Sequence, residues 1–182
     1  MDKKQLLRME LIRRERSLRG SDFSREDQAS CTSLLRVSYY QDASYLFAFF
    51  PLPSEVNIHL VLLDALQHKG LALPMLEADG HMSFREVASL EDLHTGNLGI
   101  KEPQGGPIVQ PDSQSLILVP AMAFTKQRTR LGRGKGYYDR YLQRYPEART
   151  LGLCRTHQIV EELPTDEWDS KVDILLAGGI FY

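Results

Sequence analysis

The fold class predicted for this chain is α/β: three layers, a mainly parallel (mixed) central sheet with helices on both faces, Rossmann-like, in one domain over 1–182. Three observations predict it. Short apolar runs alternate with helix-forming stretches, the pattern of βα units that lays strands parallel. Residues 45–50 are apolar or aromatic throughout, as a strand buried on both faces must be. The 182 residues, 42% of them hydrophobic, suffice for one full core, and no repeat or long linker divides them.

The elements follow in order. Residues 2–19 are rich in helix formers, with Leu7, Leu11 and Leu18 able to share a face, and Gly20 ends the helix. Ser24, with Asp27 three residues on, is expected to cap a second helix reaching about residue 37. The strand over 45–50 is closed by Pro51 and Pro53. Residues 56–69 carry Ile58, Leu62, Leu63 and Leu66 at helical spacing, and Gly70 stops them. A second strand is read over 71–75 and a short exposed one over 82–87. Residues 96–112, with Gly105, Gly106 and three prolines, read as a loop. Then come a strand over 115–119, a glycine-rich loop, a helix over 137–145 stopped by Pro146, and strands over 149–154 and 172–176.

Composition excludes several function classes. Twenty-two basic and twenty-four acidic side chains give a net charge of −2, so no whole-molecule attraction to nucleic acid or anionic lipid is expected and any basic site must be local. No run approaches the 18 or so apolar residues of a membrane span, and the charged N-terminus is unlike a secretory signal, so a cytoplasmic protein is expected. Cys31 and Cys154 lack Cys-x-x-Cys spacing, which fits a reducing compartment without a disulfide framework or zinc site. The five histidines are scattered without metal-ligand spacing. A monomer acting on small molecules is expected.

The most informative stretch is Arg130 to Asp139, where Gly132, Gly134 and Gly136 alternate with Arg130, Arg133 and Lys135. Glycines let successive backbone N–H groups turn into one concavity, and interleaved cations add charge and forked donors for phosphate oxygens. The positive end of the following helix would face the same anion, and Asp139 in its first turn is placed to serve a phosphate-bound magnesium ion. The stretch is neither a P-loop, since no Gly-Lys pair precedes Ser or Thr, nor a dinucleotide fingerprint. A solvated basic turn is the plain alternative. Residues 1–20 carry seven cations against three acids, and Lys4 and Arg8 share a face at i, i+4. Spacing alone leaves open whether that face is solvated or reaches the anion.

These residues resemble the 5-formyltetrahydrofolate cyclo-ligase (5,10-methenyltetrahydrofolate synthetase) family. The resemblance rests on Arg-Leu-Gly-Arg-Gly-Lys-Gly-Tyr-Tyr-Asp at 130–139, on Val119-Pro120 and Phe124 before it, and on Lys4 and Leu7-Arg8. Glu55 after Phe50, Gly99-Ile100-Lys101-Glu102-Pro103, and Gln158, Pro164, Asp169 and Val172-Asp173 follow in the family's order. It implies an ATP- and magnesium-dependent ring closure of 5-formyltetrahydrofolate to 5,10-methenyltetrahydrofolate through phosphorylation of the formyl oxygen. It also implies roles. Lys4 and Arg8 would bind the ATP phosphates together with Arg130, Leu131, Gly132, Arg133, Gly134, Lys135, Gly136, Tyr137 and Tyr138. Arg133 and Lys135 would stabilise the transferring phosphoryl. Phe50, Glu55 and Tyr138 would line the folate site, Asp139 and Asp169 would hold Mg2+, and Gln158 would orient a nearby loop.

The chain departs from the family pattern at four places: Trp168 for histidine, Thr125 for an acid, and Ala121 and Arg128 for glycines. A non-catalytic nucleotide- or folate-binding relative is the alternative reading that those departures favour.

Overall fold

The computed structural model describes residues 2–96 and 99–182. In chain order the elements begin with helices α1 (Lys3–Ser17), α2 (Ser24–Arg36) and α3 (Ser38–Gln41), then β1 (Tyr45–Phe47), α4 (His59–His68), β2 (Gly70–Leu76) and β3 (Met82–Glu86). Short strands β4 (Leu93–Thr95), β5 (Lys101–Pro103) and β6 (Ile108–Val109) lead to β7 (Ser115–Val119), β8 (Ala123–Thr125) and β9 (Arg130–Leu131). Helix α5 (Tyr137–Arg144), β10 (Arg149–Cys154), β11 (Ile159–Val160), β12 (Ile174–Ala177) and β13 (Ile180–Phe181) complete the chain.

The main sheet runs in the order β13-β12-β10-β7-β1-β2-β3-β6. Its centre, from β12 to β2, is parallel; β13, β3 and β6 are antiparallel additions at the edges. Alternate residues of each central strand serve different layers. Leu46, Leu71, Leu73, Leu116 and Leu118 pack with Leu34 of α2 and Val61 and Leu62 of α4. Phe47, Ala72, Ile117 and Val119 pack on the other face with Tyr141 and Leu142 of α5. Both faces are therefore apolar, which is why these strands lack polar alternation. The predicted three-layer, mainly parallel architecture is the one found.

A smaller sheet, β11-β8-β9, stands beside the main one. Helix α1 packs on it through Leu11, against Ala123 and Leu131, with Leu7 alongside. That docking carries the N-terminal cations toward the loop after β9.

Several boundaries differ from the sequence reading, each for a local reason. Ser24 does not cap α2: it lies inside the helix, and the Asp22 carboxylate accepts from its N–H at 2.9 Å. Asp27 is buried instead against Arg155 of the 3-10 turn after β10, at 2.9 Å. The helix expected over 56–69 starts only at His59. The run over 45–50 pairs as a strand only to Phe47; Ala48 still donates to the Ala72 carbonyl, and the chain then turns away toward the prolines. The strand expected to be exposed over 82–87 is not: Phe84 is fully buried and Met82 nearly so, because α5 packs over that face of the sheet through Tyr141 and Leu142. The loop over 96–112 contains β5 and β6; its residues 97 and 98 lie outside the described residues.

Candidate active site

Strand order reverses between β1 and β7: the chain moves from β1 outward to β2 on one side and later to β7 on the other. The loops leaving the carboxyl ends of these two strands must diverge there, opening a crevice that ligands of α/β sheets use. A cavity of about 680 Å³ lies at that point, lined by Phe49, Phe50 and Glu55 after β1 and by Pro120 and Ala121 after β7. The glycine loop, Lys4, Arg8, Asp139, Asp166, Trp168 and Asp169 complete its wall. A second hollow, of about 710 Å³, opens between residues 86–93 and 103–107, but its lining holds three acids and no Lys or Arg, so a polyphosphate has no counter-charge there.

Local conformation explains the glycine loop. Gly134 and Gly136 have φ of 96° and 66°, the left-handed region that side chains resist. A Cβ at Gly134 would also stand only 3.2 Å from Arg8 Cζ. The Arg8 Nε donates to the Gly132 carbonyl at 2.9 Å, which pins α1 onto the loop. Gly136 in turn caps α5, so the N-terminal end of that helix opens on the cavity. The Lys135 side chain is exposed, and among the described residues it makes no ion pair. Arg133 reaches across the cavity mouth to Glu55 at 3.2 Å.

The remaining cations are already balanced by acids. Arg130 is buried and its NH2 donates to Asp139 Oδ1 at 2.6 Å. Burial pulls its pKa down while Asp139 pulls it back, and the guanidinium stays charged. Lys4, 7% exposed, places its ammonium 2.6 Å from Asp166 Oδ2 and 2.8 Å from Asp169 Oδ1. Burial works to lower the Lys4 pKa, but the bonds to Asp166 and Asp169 outweigh it and hold the group above its ordinary 10.5. Ser170 N–H donates to Asp139 at 3.1 Å, tying the 166–170 segment to the start of α5.

Two buried donors in the cavity wall lack acceptors among the described residues: Arg130 Nε and the Tyr138 hydroxyl. Burial pushes the Tyr138 phenol far above its usual range, so it stays a neutral O–H donor. Buried donors without acceptors are rare, and their presence here fits an anionic or carbonyl-bearing ligand. The Tyr138 ring packs edge-on against Phe84, at 6.5 Å, with Arg130 over its face at 5.8 Å, so its faces belong to the core rather than to a stacked base.

The carboxylates also meet what a hard divalent cation asks. Among the described residues no three His, Cys, Asp or Glu side chains cluster to hold a metal unaided. Asp139 and Asp169 nevertheless line the same cavity beside the glycine loop, and magnesium commonly uses one or two carboxylates plus phosphate oxygens. The residues fit a cation that arrives with its phosphates. Cys31 and Cys154 are buried, and burial raises their thiols to about 11 and about 12, so neither is an activated nucleophile.

The residues to which the resemblance gives ATP, folate or magnesium roles thus all line one cavity, including Lys4 and Arg8, whose spacing left the question open. Sequence reading missed Asp166, the second acid on Lys4, and the apolar wall of Phe49, Pro74, Leu76, Met82 and Ile100. Apolar residues in a strand look like core, so nothing in the sequence marked them as lining. Gln158 is buried, its Nε2 donating to the Ala121 carbonyl at 3.3 Å, which ties it to the loop after β7. Arg128 has φ of 68°, so the backbone keeps a glycine-like turn although the side chain is arginine. The Arg128 guanidinium donates to the Asp173 carbonyl at 2.5 Å. Thr125 and Thr129 close the same turn. In the described residues no helix is long and apolar enough to cross a membrane.

A doubly covered parallel sheet with a cationic glycine loop at its switch point defines an α/β protein built to bind a polyanion beside an apolar group. The family model described as "5-formyltetrahydrofolate cyclo-ligase family" matches residues 1–178, and the chain belongs to that family. The 5-formyltetrahydrofolate cyclo-ligase of Mus musculus is 30% identical, over 93% of this chain and 91% of its own length. That of Haemophilus influenzae is 25% identical over 97% and 98%. Among solved structures, the 5,10-methenyltetrahydrofolate synthetase of Aquifex aeolicus superposes with a TM-score of 0.86 at 31% identity, over 98% of this chain and 91% of that one. The synthetase of Mycoplasma pneumoniae, at 22% identity and a TM-score of 0.76, shares the fold.

Proposed function

We propose that this chain converts 5-formyltetrahydrofolate to 5,10-methenyltetrahydrofolate with ATP, releasing ADP and phosphate. The observation that carries the reading is the joining of a cationic glycine loop and an apolar wall in one cavity at the sheet's switch point. Family membership gives that geometry its reaction.

The two ends of the cavity divide the work. Phe50 and the apolar wall seat the reduced pterin, and Glu55 accepts hydrogen bonds from its amino and ring N–H groups. Lys4, Arg8, Arg130 and the backbone of Gly132, Gly134 and Gly136 hold the triphosphate. Lys135 is placed on the γ-phosphoryl, and Arg133, swinging from Glu55, bridges phosphate and folate. These cations stabilise charge on the equatorial oxygens as the phosphoryl passes to the formyl oxygen. Nitrogen 10 then attacks the activated carbon, phosphate leaves with the former formyl oxygen, and the new five-membered ring closes with loss of the nitrogen proton. Tyr138 donates its O–H to an oxygen of the bound ligands. Asp139 and Asp169 would hold a magnesium ion that arrives with the nucleotide, and that ion would supply charge neutralisation for the phosphates. The Lys4 ammonium, held at the cavity by Asp166 and Asp169, is positioned to meet phosphate oxygens.

The reading takes a single polypeptide, a monomer, as the working unit. A cytoplasmic location is in keeping with two unpaired buried cysteines.

The test is direct. Purified protein given 5-formyltetrahydrofolate, ATP and magnesium should develop the near-ultraviolet absorbance of the methenyl product. Nucleotide binding without that absorbance would instead establish a non-catalytic relative, the reading that the exposed Trp168 beside Asp169 favours.

A further inference from the structure

Trp168 is the only tryptophan in the chain, and its side chain is 63% exposed. A lone exposed aromatic is ordinary on a protein surface, but this one lines the cavity. Its backbone is nevertheless fixed: the Trp168 carbonyl accepts from Gln143 Nε2 of α5 at 2.8 Å. The next residue, Asp169, is held by Lys4, and Ser170 by Asp139. The indole is therefore an exposed ring on an anchored segment in the wall of the cavity.

Its place along the cavity selects its ligand. Phe50, Leu76 and Met82 give the lining its apolar side chains and the glycine loop with Lys4 its charge, while Gln143, which holds Trp168, lies near the end of α5 away from the glycine loop. Trp168 sits on the 166–169 segment that grips Lys4, with Gln143 and Arg140 of α5 as its companions in the lining. A nucleoside triphosphate that presents its γ-phosphoryl to the apolar end must leave its base on the other side of the cationic loop. We infer that Trp168 is the base platform of the nucleotide site, stacking its indole on the purine ring, with Gln143 and Arg140 at the ring edge. This rests on the reading of the cavity as a triphosphate site and adds a residue that sets nucleotide affinity.

The single tryptophan makes the test clean, because all indole fluorescence comes from Trp168. The wild-type protein is titrated with ADP and, separately, with inorganic tripolyphosphate. Stacking predicts that ADP quenches the emission strongly and tripolyphosphate changes it little. In turnover, Trp168→Ala should raise the KM for ATP roughly 5- to 150-fold, the size of effect that removing a stacked aromatic has on base binding. The KM for 5-formyltetrahydrofolate should shift less than about twofold, since that ligand is held elsewhere. Trp168→Phe should recover most of the ATP affinity, which a role in loop structure alone would not predict. Equal quenching by ADP and tripolyphosphate, or a rise in the folate KM in place of the ATP KM, overturns the inference. If the wild-type protein forms no methenyl product, the enzyme reading fails, while the two fluorescence titrations still decide the stacking.

Discussion

The apolar end of the cavity and its cationic end are built from different material. Phe49, Phe50, Pro74, Leu76 and Met82 come from β2, β3 and the turn after β1, whose other side chains form the core. That wall is therefore as rigid as the sheet, and its shape is present before any ligand arrives. The cationic end is assembled from a helix near the N-terminus, a loop after β9 and a segment near residue 168, and ion pairs hold it together. Lys4 with Asp166 and Asp169, Arg130 with Asp139, and Arg133 with Glu55 make four ion pairs, all but the Arg130–Asp139 pair joining distant parts of the chain. Such contacts can exchange one partner for another, as the proposed phosphate and metal binding would require, whereas a packed leucine cannot. One end fits by shape and the other by rearranging charge.

Variants can break this contrast, and the largest expected effect falls on the loop. Lys135→Ala should lower kcat by about 100- to 1000-fold, the usual range for losing a charge that stabilises a transition state. Its melting temperature should stay within about 2 °C of wild type, because an exposed cation contributes little to folding. Calorimetry beside steady-state kinetics checks both halves. Arg130→Leu tests the opposite combination. It leaves the partly buried Asp139 without its partner, so stability should fall by about 3 kcal/mol and the melting temperature by more than about 6 °C. Unaltered stability would show that Arg130 holds nothing but ligand.

Smaller effects separate the two ends. Asp169→Asn should raise the magnesium concentration for half-maximal rate by at least about 10-fold, while the folate KM stays within about twofold. Phe50→Ala should do the reverse: a folate KM about 10-fold higher and little change for ATP or magnesium. If either variant moved both parameters together, the division between the ends would be wrong. The smallest effect is expected at the turn after β8. Arg128→Gly relieves about 1 kcal/mol of left-handed strain but loosens the unfolded chain and loses the bond to Asp173, so its net change should lie within about 1 kcal/mol.

The same contrast explains what the sequence disclosed. Strands β1 and β7 were legible because burial on both faces leaves a nearly unbroken apolar run. Strand β3 read as exposed because Met82-Ser83-Phe84-Arg85-Glu86 alternates, and only its tertiary packing against α5 shows that its apolar side is covered. Strand β5 carries Lys101, Glu102 and Pro103, which no strand pattern favours; pairing with β4 decides it. The glycine loop announced its chemistry locally, through composition. The pairing of Lys4 with acids more than 160 residues away did not, since no periodicity encodes a contact at that separation. Resemblance to a family named Lys4 and Asp169 together but passed over Asp166.

The central claim is that the two ends serve one reaction, and the stoichiometry of turnover tests it most directly. With 5-formyltetrahydrofolate in excess and ATP limiting, methenyl product should appear by absorbance mole for mole with ADP, and neither should form without the other substrate. ADP released with no methenyl product, or methenyl product formed without ATP, would contradict the account.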